Sequence, residues 1–262
     1  MAEQTLLNQR NPVTRDRFDA VLFDLDGVLT STAAIHADAW KEMFDAFLLP
    51  RGERAFDIDT DYKKYVDGRP RYEGVRTFLE SRGIELPFGE PSEEPNDRTI
   101  CGLGNRKDAM VKQAIADGRV KPFEGSIRWI DQLRRDGFKL GVVSSSRNAG
   151  PVLKAAKMDH LFTVRVDGAT LAEENIRGKP APDSFLKAAE RLGATPKRTV
   201  VVEDALSGVE AGRAGKFGLV IGVDREGAGH ADALRKHGAD IVVGDLGELV
   251  RSTDRDTEQA TR

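Results

Sequence analysis

The chain has one cysteine, no long apolar run and almost no net charge, and each shortage excludes a class of protein. The single cysteine, Cys101, rules out an internal disulfide and fits a reducing compartment. No apolar run approaches the roughly 20 residues of a membrane span, and residues 1–17 lack the apolar core of a secretory signal. Forty basic and 43 acidic residues give a net charge of −3, so neither nucleic acid nor an anionic membrane is an expected partner.

A histidine metal site is also missing from the sequence pattern. The four histidines, His36, His160, His230 and His237, show no ligand spacing such as i,i+4. A charged fraction of 32% beside 39% hydrophobic residues is typical of a globular protein, and 262 residues suffice for one large domain or two modest ones. We therefore expect a cytoplasmic protein whose partner is a small molecule.

Strand-like and helix-like segments alternate through the second half of the chain. Such alternation predicts an α/β fold, a Rossmann-like parallel sheet with helices on both faces. Strands are predicted at 19–25, 139–143, 162–166, 199–202, 218–222 and 241–243. Helices of this part are predicted at 125–135, 149–157, 182–192, 206–214 and 229–237.

The alternation is interrupted after the first strand. Helical periodicity without strands covers 33–47, 71–82 and 106–117, which predicts a helical cap at 34–118 inserted into an α/β core at 17–33 and 119–250. Residues 1–16 and 251–262 are predicted to be tails, the second of them flexible, and 87–95 is an acidic, proline-rich loop of unassigned role. An insertion at this crossover would cover the strand ends, where ligands bind in such folds.

Residues 21–29 read Val-Leu-Phe-Asp-Leu-Asp-Gly-Val-Leu, an apolar run interrupted by two carboxylates, Asp24 and Asp26. In an extended chain the side chains at i and i+2 point to the same side, so the two charges would crowd together. Such crowding is unfavourable unless a cation or a proton relieves it. Asp26 and Gly27 could instead form a simple turn that ends the strand, and the other strand ends decide between these readings.

Polar side chains also follow two later strands. Ser144 comes after the strand at 139–143, and Glu203 and Asp204 come after the strand at 199–202. Because the carboxyl ends of parallel strands lie along one edge, these groups can converge on Asp24. A serine-rich loop is ordinary by itself, but an acidic, oxygen-rich cluster suits Mg²⁺.

Lys179 lies in a stiff loop and could supply a positive charge to this acidic cluster. It lies in Gly-Lys-Pro-Ala-Pro, where two prolines restrict the backbone. A lone loop lysine is normally solvated. Beside four carboxylates, however, a lysine would balance part of their charge.

The residues Asp24, Asp26, Ser144, Lys179 and Glu203-Asp204 resemble the four ordered motifs of the haloacid dehalogenase superfamily. Residue identity, order and spacing all agree, over about residues 17–250. The insertion between the first two motifs is similar to the helical cap of that superfamily. The resemblance implies phosphoryl transfer through an aspartyl-phosphate.

Finer features resemble the β-phosphoglucomutase family. His36 and Trp40 stand where that family has a histidine followed by Ala-Trp, Gly68–Arg71 is similar to its Gly-x-x-Arg turn, and Lys107 ends a similar Arg-Lys pair. The second motif continues in a similar way through Ser146, Arg147 and Asn148. The sequence departs from the family at Arg147 (usually lysine), at Ser31 (often aspartate) and in a longer 87–95 loop, which leaves the sugar open.

The resemblance assigns a role to each motif residue. Asp24 would attack phosphorus, and Asp26 would act as general acid and base. Mg²⁺ would be held by Asp24, the backbone carbonyl of Asp26 and Asp204, with Glu203 a ligand or a neighbour of one. Ser144 and Lys179 would hold the transferring phosphoryl group.

The cap residues would recognise the rest of the substrate. A second phosphate would be held by a group of polar residues from both parts of the chain: Arg71, Ser146, Arg147 and Asn148. Lys107 and His36 would contact the sugar or orient Asp26. The predicted function is a Mg²⁺-dependent β-phosphoglucomutase that interconverts β-D-glucose 1-phosphate and glucose 6-phosphate through glucose 1,6-bisphosphate. The alternatives are a sugar-phosphate phosphatase and a catalytically inactive binding protein; the oligomeric state stays open, with a monomer as the default.

Overall fold

Six parallel strands form the core of the protein in the computed structural model, which describes residues 12–227 and 229–251. They lie in the spatial order β3-β2-β1-β4-β5-β6. The first strand is in the interior, where Phe23 is in register with Val142 and Val202 on its two neighbours. The strands are β1 (Ala20–Phe23), β2 (Lys139–Val143), β3 (Val164–Val166), β4 (Thr199–Glu203), β5 (Leu219–Val223) and β6 (Ile241–Val243). The predicted α/β class with a parallel sheet is confirmed.

Helices cover both faces of this sheet. In chain order they are α1 (Thr32–Leu48), α2 (Arg71–Ser81), α3 (Ile100–Ala116), α4 (Glu124–Arg135), α5 (Ala149–Ala155), α6 (Gly168–Glu173), α7 (Asp183–Arg191), α8 (Leu206–Ala214) and α9 (His230–His237). Side chains of β1 alternate between the faces, Val21 and Phe23 packing with α4 and α5, and Ala20 and Leu22 with α7, α8 and α9. Both faces are apolar because each is covered.

A third apolar cluster lies among α1, α2, α3 and a π-helix at Ile58–Val66. Phe44 is at its centre, with ring centroids 5.3 Å from Trp40, 5.0 Å from Phe56 and 4.2 Å from Phe78. Full burial of one such ring contributes about 1.5–3 kcal/mol, so the inserted helices have a core of their own. This cluster supports the predicted cap, whose boundaries at 34 and 118 stay a prediction.

Helix α3 begins six residues before the predicted start at Arg106. Its N-terminal turn is capped by Thr99, whose Oγ1 accepts a hydrogen bond from the backbone N–H of Gly102 at 2.9 Å. Two glycines in this turn weaken the helical pattern in the sequence. Gly104 is needed by the packing, because a Cβ there would lie 2.7 Å from the Tyr72 ring.

The predicted tails fall largely outside the described residues, which begin at 12 and end at 251. Within the predicted N-terminal tail, Val13 is packed into the core beneath the sheet at 3% exposure. The predicted boundary between this tail and the core at residue 17 stays a prediction. Among the helices of 12–227 and 229–251, none has the length and apolarity that crossing a lipid bilayer requires.

Candidate active site

Asp24 lies at the carboxyl end of β1, where its backbone N–H donates to Val202 of β4 at 2.9 Å. The chain turns sharply just beyond it, and Gly27 adopts a left-handed conformation with φ of 87°. A Cβ at Gly27 would lie 1.7 Å from a carboxylate oxygen of Asp204, so a larger residue could not be accommodated without displacing that carboxylate. The glycine thus brings the first and fourth motifs into contact.

Three carboxylates gather at this edge of the sheet. One oxygen each from Asp24, Glu203 and Asp204 lies within 4.8 Å of the others. Burial raises the pKa of Asp24 well above its usual value, although Lys179 opposes the shift. Burial and the Glu203 carboxylate likewise raise the pKa of Asp204. A divalent cation would relieve this repulsion, and these hard oxygen donors fit one.

Lys179 is buried beneath the acidic cluster at 3% exposure. Its Nζ lies 2.5 Å from Asp24 Oδ1, contacts Glu203 Oε1, and donates to the backbone carbonyl of Val143 at 3.2 Å. Burial alone would lower the pKa of Lys179, but the two carboxylates raise it above its usual value. Lys179 is therefore charged and balances part of the negative charge.

Glu203 uses both of its oxygens within the protein. Oε2 accepts hydrogen bonds from the backbone N–H groups of Asp204 and Ala205, both at 3.0 Å, while Oε1 contacts Lys179. The residue is fully buried at the end of β4. This geometry favours Glu203 as the group that orients Lys179, and it leaves Asp24 and Asp204 as the freer carboxylates.

Asp26 faces the cavity beside Asp24 and is oriented by three side chains. Its Oδ1 accepts a hydrogen bond from the Thr32 hydroxyl and lies 3.5 Å from His36 Nε2, and its Oδ2 accepts from Ser144 Oγ at 3.4 Å. Thr32 is the first residue of α1, so the start of the cap helix helps to orient this carboxylate.

His36 links Asp26 to the cap. Burial and the neighbouring Lys107 lower the pKa of His36 to about 4, so the imidazole is neutral at pH 7. Lys107 Nζ is 2.5 Å from His36 Nδ1, and when Lys107 is protonated Nδ1 accepts the hydrogen bond because an ammonium has no lone pair. The ring proton is then on Nε2, the nitrogen that faces Asp26.

Lys107 is itself buried in the cap at 5% exposure. Its ammonium lies 4.9 Å from the centroid of the Trp40 ring, a cation–π contact. Burial lowers the pKa of Lys107 to about 7, although Asp26 and Asp108 oppose the shift. Its charge is therefore sensitive to pH in the neutral range.

A second group of polar residues lies where the cap meets the core. Asn148 Nδ2 donates to Asp108 Oδ1 at 2.7 Å, and Arg71 Nη1 lies 2.7 Å from the same oxygen. Ser146 Oγ accepts from the Asn148 backbone N–H at 3.1 Å. Among the described residues, the buried Nε of Arg71 has no hydrogen-bond acceptor, so the guanidinium retains a donor for an anion.

A single cavity between cap and core brings these groups together. The predicted site residues in its wall are Asp24, Asp26, His36, Arg71, Lys107, Ser144, Ser146, Arg147, Asn148, Glu203 and Asp204. Lys179 lies beneath this wall, in contact with Asp24. The predicted roles of these residues stay a hypothesis, but their proximity agrees with it.

The sequence interpretation missed four residues of the site. Thr32 contacts Asp26, while Tyr62, Asp67 and Asp108 line the cavity from the cap. Burial and the Glu203 carboxylate raise the pKa of Asp67 to about 7. Only Asp108 carried a signal, because it directly follows the Arg-Lys pair of the cap.

Besides the bond between Asn148 and Asp108, three contacts join the cap to the core over the strand ends. Ser145 Oγ donates to the Gly68 carbonyl at 2.6 Å, and Ser207 Oγ donates to the carbonyl of the preceding residue, Asp67, at 3.1 Å. Lys63 forms an ion pair with Glu226 at 2.5 Å. Together these contacts enclose the carboxylates.

Comparisons with known proteins agree with this geometry. The model of the haloacid dehalogenase-like hydrolase family matches residues 18–216. The β-phosphoglucomutase of Mycobacterium bovis is 52% identical over 242 residues, which cover 90% of this chain and 92% of that protein. The β-phosphoglucomutase of Bacillus subtilis is 32% identical over 225 residues, 86% of this chain and 92% of that protein.

A solved structure has the same fold. The crystal structure of a β-phosphoglucomutase from Clostridium difficile superposes with a TM-score of 0.72 at 23% identity, covering 94% of this chain and 100% of that one. Members of this family typically use a divalent metal, for which the acidic cluster provides the donors. The chain is thus a phosphoryl-transfer enzyme, and it belongs to the haloacid dehalogenase superfamily and to its β-phosphoglucomutase-like family.

Proposed function

We propose that the protein is a Mg²⁺-dependent β-phosphoglucomutase that interconverts β-D-glucose 1-phosphate and glucose 6-phosphate. The observation that supports this proposal is that groups able to hold an anion lie at two separate places around the cavity. Ser144 and Lys179 adjoin Asp24 at one of them, and Arg71 with Asn148 forms the other. Hydrolysis of a monophosphate needs only the first site, whereas a bisphosphate that reacts at either end needs both.

The metal site is proposed from the donors that face the cavity. Asp24, Asp204 and the backbone carbonyl of Asp26 would hold Mg²⁺, and Glu203 would orient Lys179. When bound, the cation would neutralise charge between the carboxylates and the phosphate. Lys179 and Ser144 would contact the equatorial oxygens of the phosphoryl group, where negative charge accumulates during transfer.

Asp24 as nucleophile and Asp26 as general acid and base would catalyse two successive phosphoryl transfers. An oxygen of Asp24 forms a bond to the phosphorus on C1 of glucose 1,6-bisphosphate as the bond from phosphorus to the sugar oxygen breaks. Asp26 donates its proton to that oxygen, which releases glucose 6-phosphate. In the second step Asp26 takes the proton of the 6-hydroxyl of glucose 1-phosphate, which attacks the aspartyl-phosphate and regenerates the bisphosphate.

The neighbours of Asp26 support this division of roles. Thr32 and the protonated Nε2 of His36 face its carboxylate, so they would orient it towards the bridging oxygen without holding it against Asp24. The closed cap would exclude water, which otherwise hydrolyses the aspartyl-phosphate. A phosphatase is the alternative, and it is supported by the hydrolase description of the family and by similarity to a protein named as a trehalose-phosphate phosphatase.

Phosphorus NMR separates these functions. The protein is incubated with Mg²⁺, β-glucose 1-phosphate and a trace of glucose 1,6-bisphosphate, and we expect glucose 6-phosphate without free phosphate. Stoichiometric free phosphate would contradict the mutase in favour of the phosphatase. No turnover across a panel of sugar phosphates would instead indicate a binding protein. A reaction without the bisphosphate, expected to start slowly, serves as the control.

The pH dependence should report on Lys107. Because its pKa is about 7, its positive charge is lost as the pH rises through neutrality, and kcat/KM for β-glucose 1-phosphate should fall over the same range. Arginine keeps its charge, so Lys107→Arg should remove this decline even if its activity at pH 6.5 is lower. Lys154→Arg, at an exposed lysine of α5, is the matched control. Indistinguishable profiles for Lys107→Arg and the wild type would contradict a charged role for Lys107.

A further inference from the structure

Asp108 lies where a substrate phosphate would meet the distal site. Its Oδ1 is 2.7 Å from both Arg71 Nη1 and Asn148 Nδ2, the groups proposed above to hold the second phosphate. Arg71 begins α2 and Asp108 is on α3, both in the cap, whereas Asn148 precedes α5 of the core. One oxygen of Asp108 therefore contacts a donor of the cap and a donor of the core, which is the position that a phosphate oxygen would take.

Asp108 also has a second cation to pair with. Lys112, one turn further along α3, lies 2.9 Å from Oδ2, and its side chain is 65% exposed. Burial raises the pKa of Asp108, but Arg71, Lys112 and Asn148 together hold it below the usual value, so the group is a carboxylate at neutral pH. Asp108 can move away from Arg71 and still have its charge paired by Lys112.

We propose that Asp108 is a positioning residue that competes with substrate phosphate for Arg71 and Asn148, and that it shifts to Lys112 when the phosphate binds. This inference rests on the proposed function, since it takes these two residues as the distal phosphate site. This competition explains how the distal site can bind the phosphate specifically and still release it. A bisphosphate must leave the distal site in order to present its other end to Asp24.

The physical reason lies in the donors that the phosphate would leave behind. Arg71 and Asn148 are largely buried, and buried donors without acceptors carry a desolvation penalty. When phosphate leaves, the Asp108 carboxylate can take its place at Arg71 and Asn148. The two donors are then never left without an acceptor. The exchange weakens phosphate binding, and it lowers the barrier to reorientation.

The test measures binding of inorganic phosphate to the full chain by isothermal titration calorimetry with Mg²⁺ present. Asp108→Asn removes the competing charge and keeps the side-chain shape, so we expect Kd for phosphate to fall about tenfold, the scale of one charge-assisted hydrogen bond. Because phosphate is also expected to bind near Asp24, the measurement is repeated in an Arg71→Met background. There, the effect of Asp108→Asn should disappear.

Steady-state kinetics give an independent readout. If Asp108 assists release, Asp108→Asn should lower KM and kcat together, which a purely structural defect would not do. Asp117→Asn removes one charge from the exposed end of the same helix and should leave both unchanged. Unchanged or weaker phosphate binding in Asp108→Asn would overturn the proposal, and so would an equal gain in the Arg71→Met background.

Lys112→Met provides a second variant that changes only an exposed side chain. Without this partner Asp108 stays on Arg71, so phosphate binding should weaken about threefold in the wild-type background and not in Arg71→Met. Unchanged or tighter binding would overturn the proposal even if Asp108→Asn fails to fold. Because the probe is inorganic phosphate, the result stands apart from whether the NMR assay detects a mutase or a phosphatase.

Discussion

Replacing Asp24 with asparagine is expected to lower turnover by about 10⁴-fold or more, on the scale seen when an enzyme loses its nucleophile. An amide cannot form the aspartyl-phosphate, and the remaining groups at this edge of the sheet offer no equivalent. Asp26 is held by Thr32 and Ser144, and Glu203 is occupied by backbone N–H groups. The loss should therefore appear in kcat, measured with saturating substrate and Mg²⁺.

The same variant should keep its fold. Burial makes the ionised Asp24 unfavourable, so the neutral amide is expected to leave the thermal midpoint in metal-free buffer equal to the wild-type value or above it. Asp19→Asn, before the other end of β1, is the matched control and should retain full turnover. Substantial activity in Asp24→Asn, with a normal melting curve, would show that another group attacks phosphorus.

Replacing Lys179 with methionine is expected to reduce both stability and turnover. The ammonium is buried between Asp24 and Glu203, and breaking a buried ion pair from one side typically costs about 3–5 kcal/mol. Loss of a cation that would contact the transferring phosphoryl group should also lower kcat by about 10²–10³-fold. Urea unfolding at pH 7 measures the first effect and steady-state kinetics the second.

The stability loss should depend on pH and on metal. Without the lysine, the buried Asp24 carboxyl keeps a pKa above its unfolded value of about 4, so the destabilisation should shrink as the pH falls towards that value. Mg²⁺ should recover part of the loss by supplying positive charge. Lys187→Met, at a half-buried lysine on α7, is the control. A loss that is the same at every pH would point to packing rather than to charge.

The residues that the core contributes to the cavity could be predicted from the sequence because they lie at the ends of strands. Asp24, Ser144 and Glu203 each follow or end an apolar run, and the parallel arrangement brings such positions to one edge regardless of which strands are neighbours. The order of the strands was not predicted, since local periodicity does not contain it. It was also not needed, because every candidate order leaves the same ends on the same side.

The cap was less predictable, for two physical reasons. The π-helix at Ile58–Val66 follows a hydrogen-bond pattern that an apolar repeat of the α-helical period does not indicate. Asp67 and Asp108 do not follow a predicted strand, and their importance comes from the core groups that they face after closure. Such residues are ordinary surface charges in the sequence and become part of the site only through tertiary contact.

The two serines that hold the cap closed bear on how this protein family diversifies. Ser145 and Ser207 donate to the backbone carbonyls of Gly68 and Asp67, so these two hydrogen bonds use no cap side chain as acceptor. At position 67 the backbone carbonyl is present whichever amino acid occupies it, whereas at Gly68 a Cβ would lie 2.3 Å from Ser207 Oγ. A substitution at position 67 would therefore change a side chain that lines the cavity without removing the acceptor of this contact. The shape of the cavity and the closure of the cap can thus be altered independently at this position.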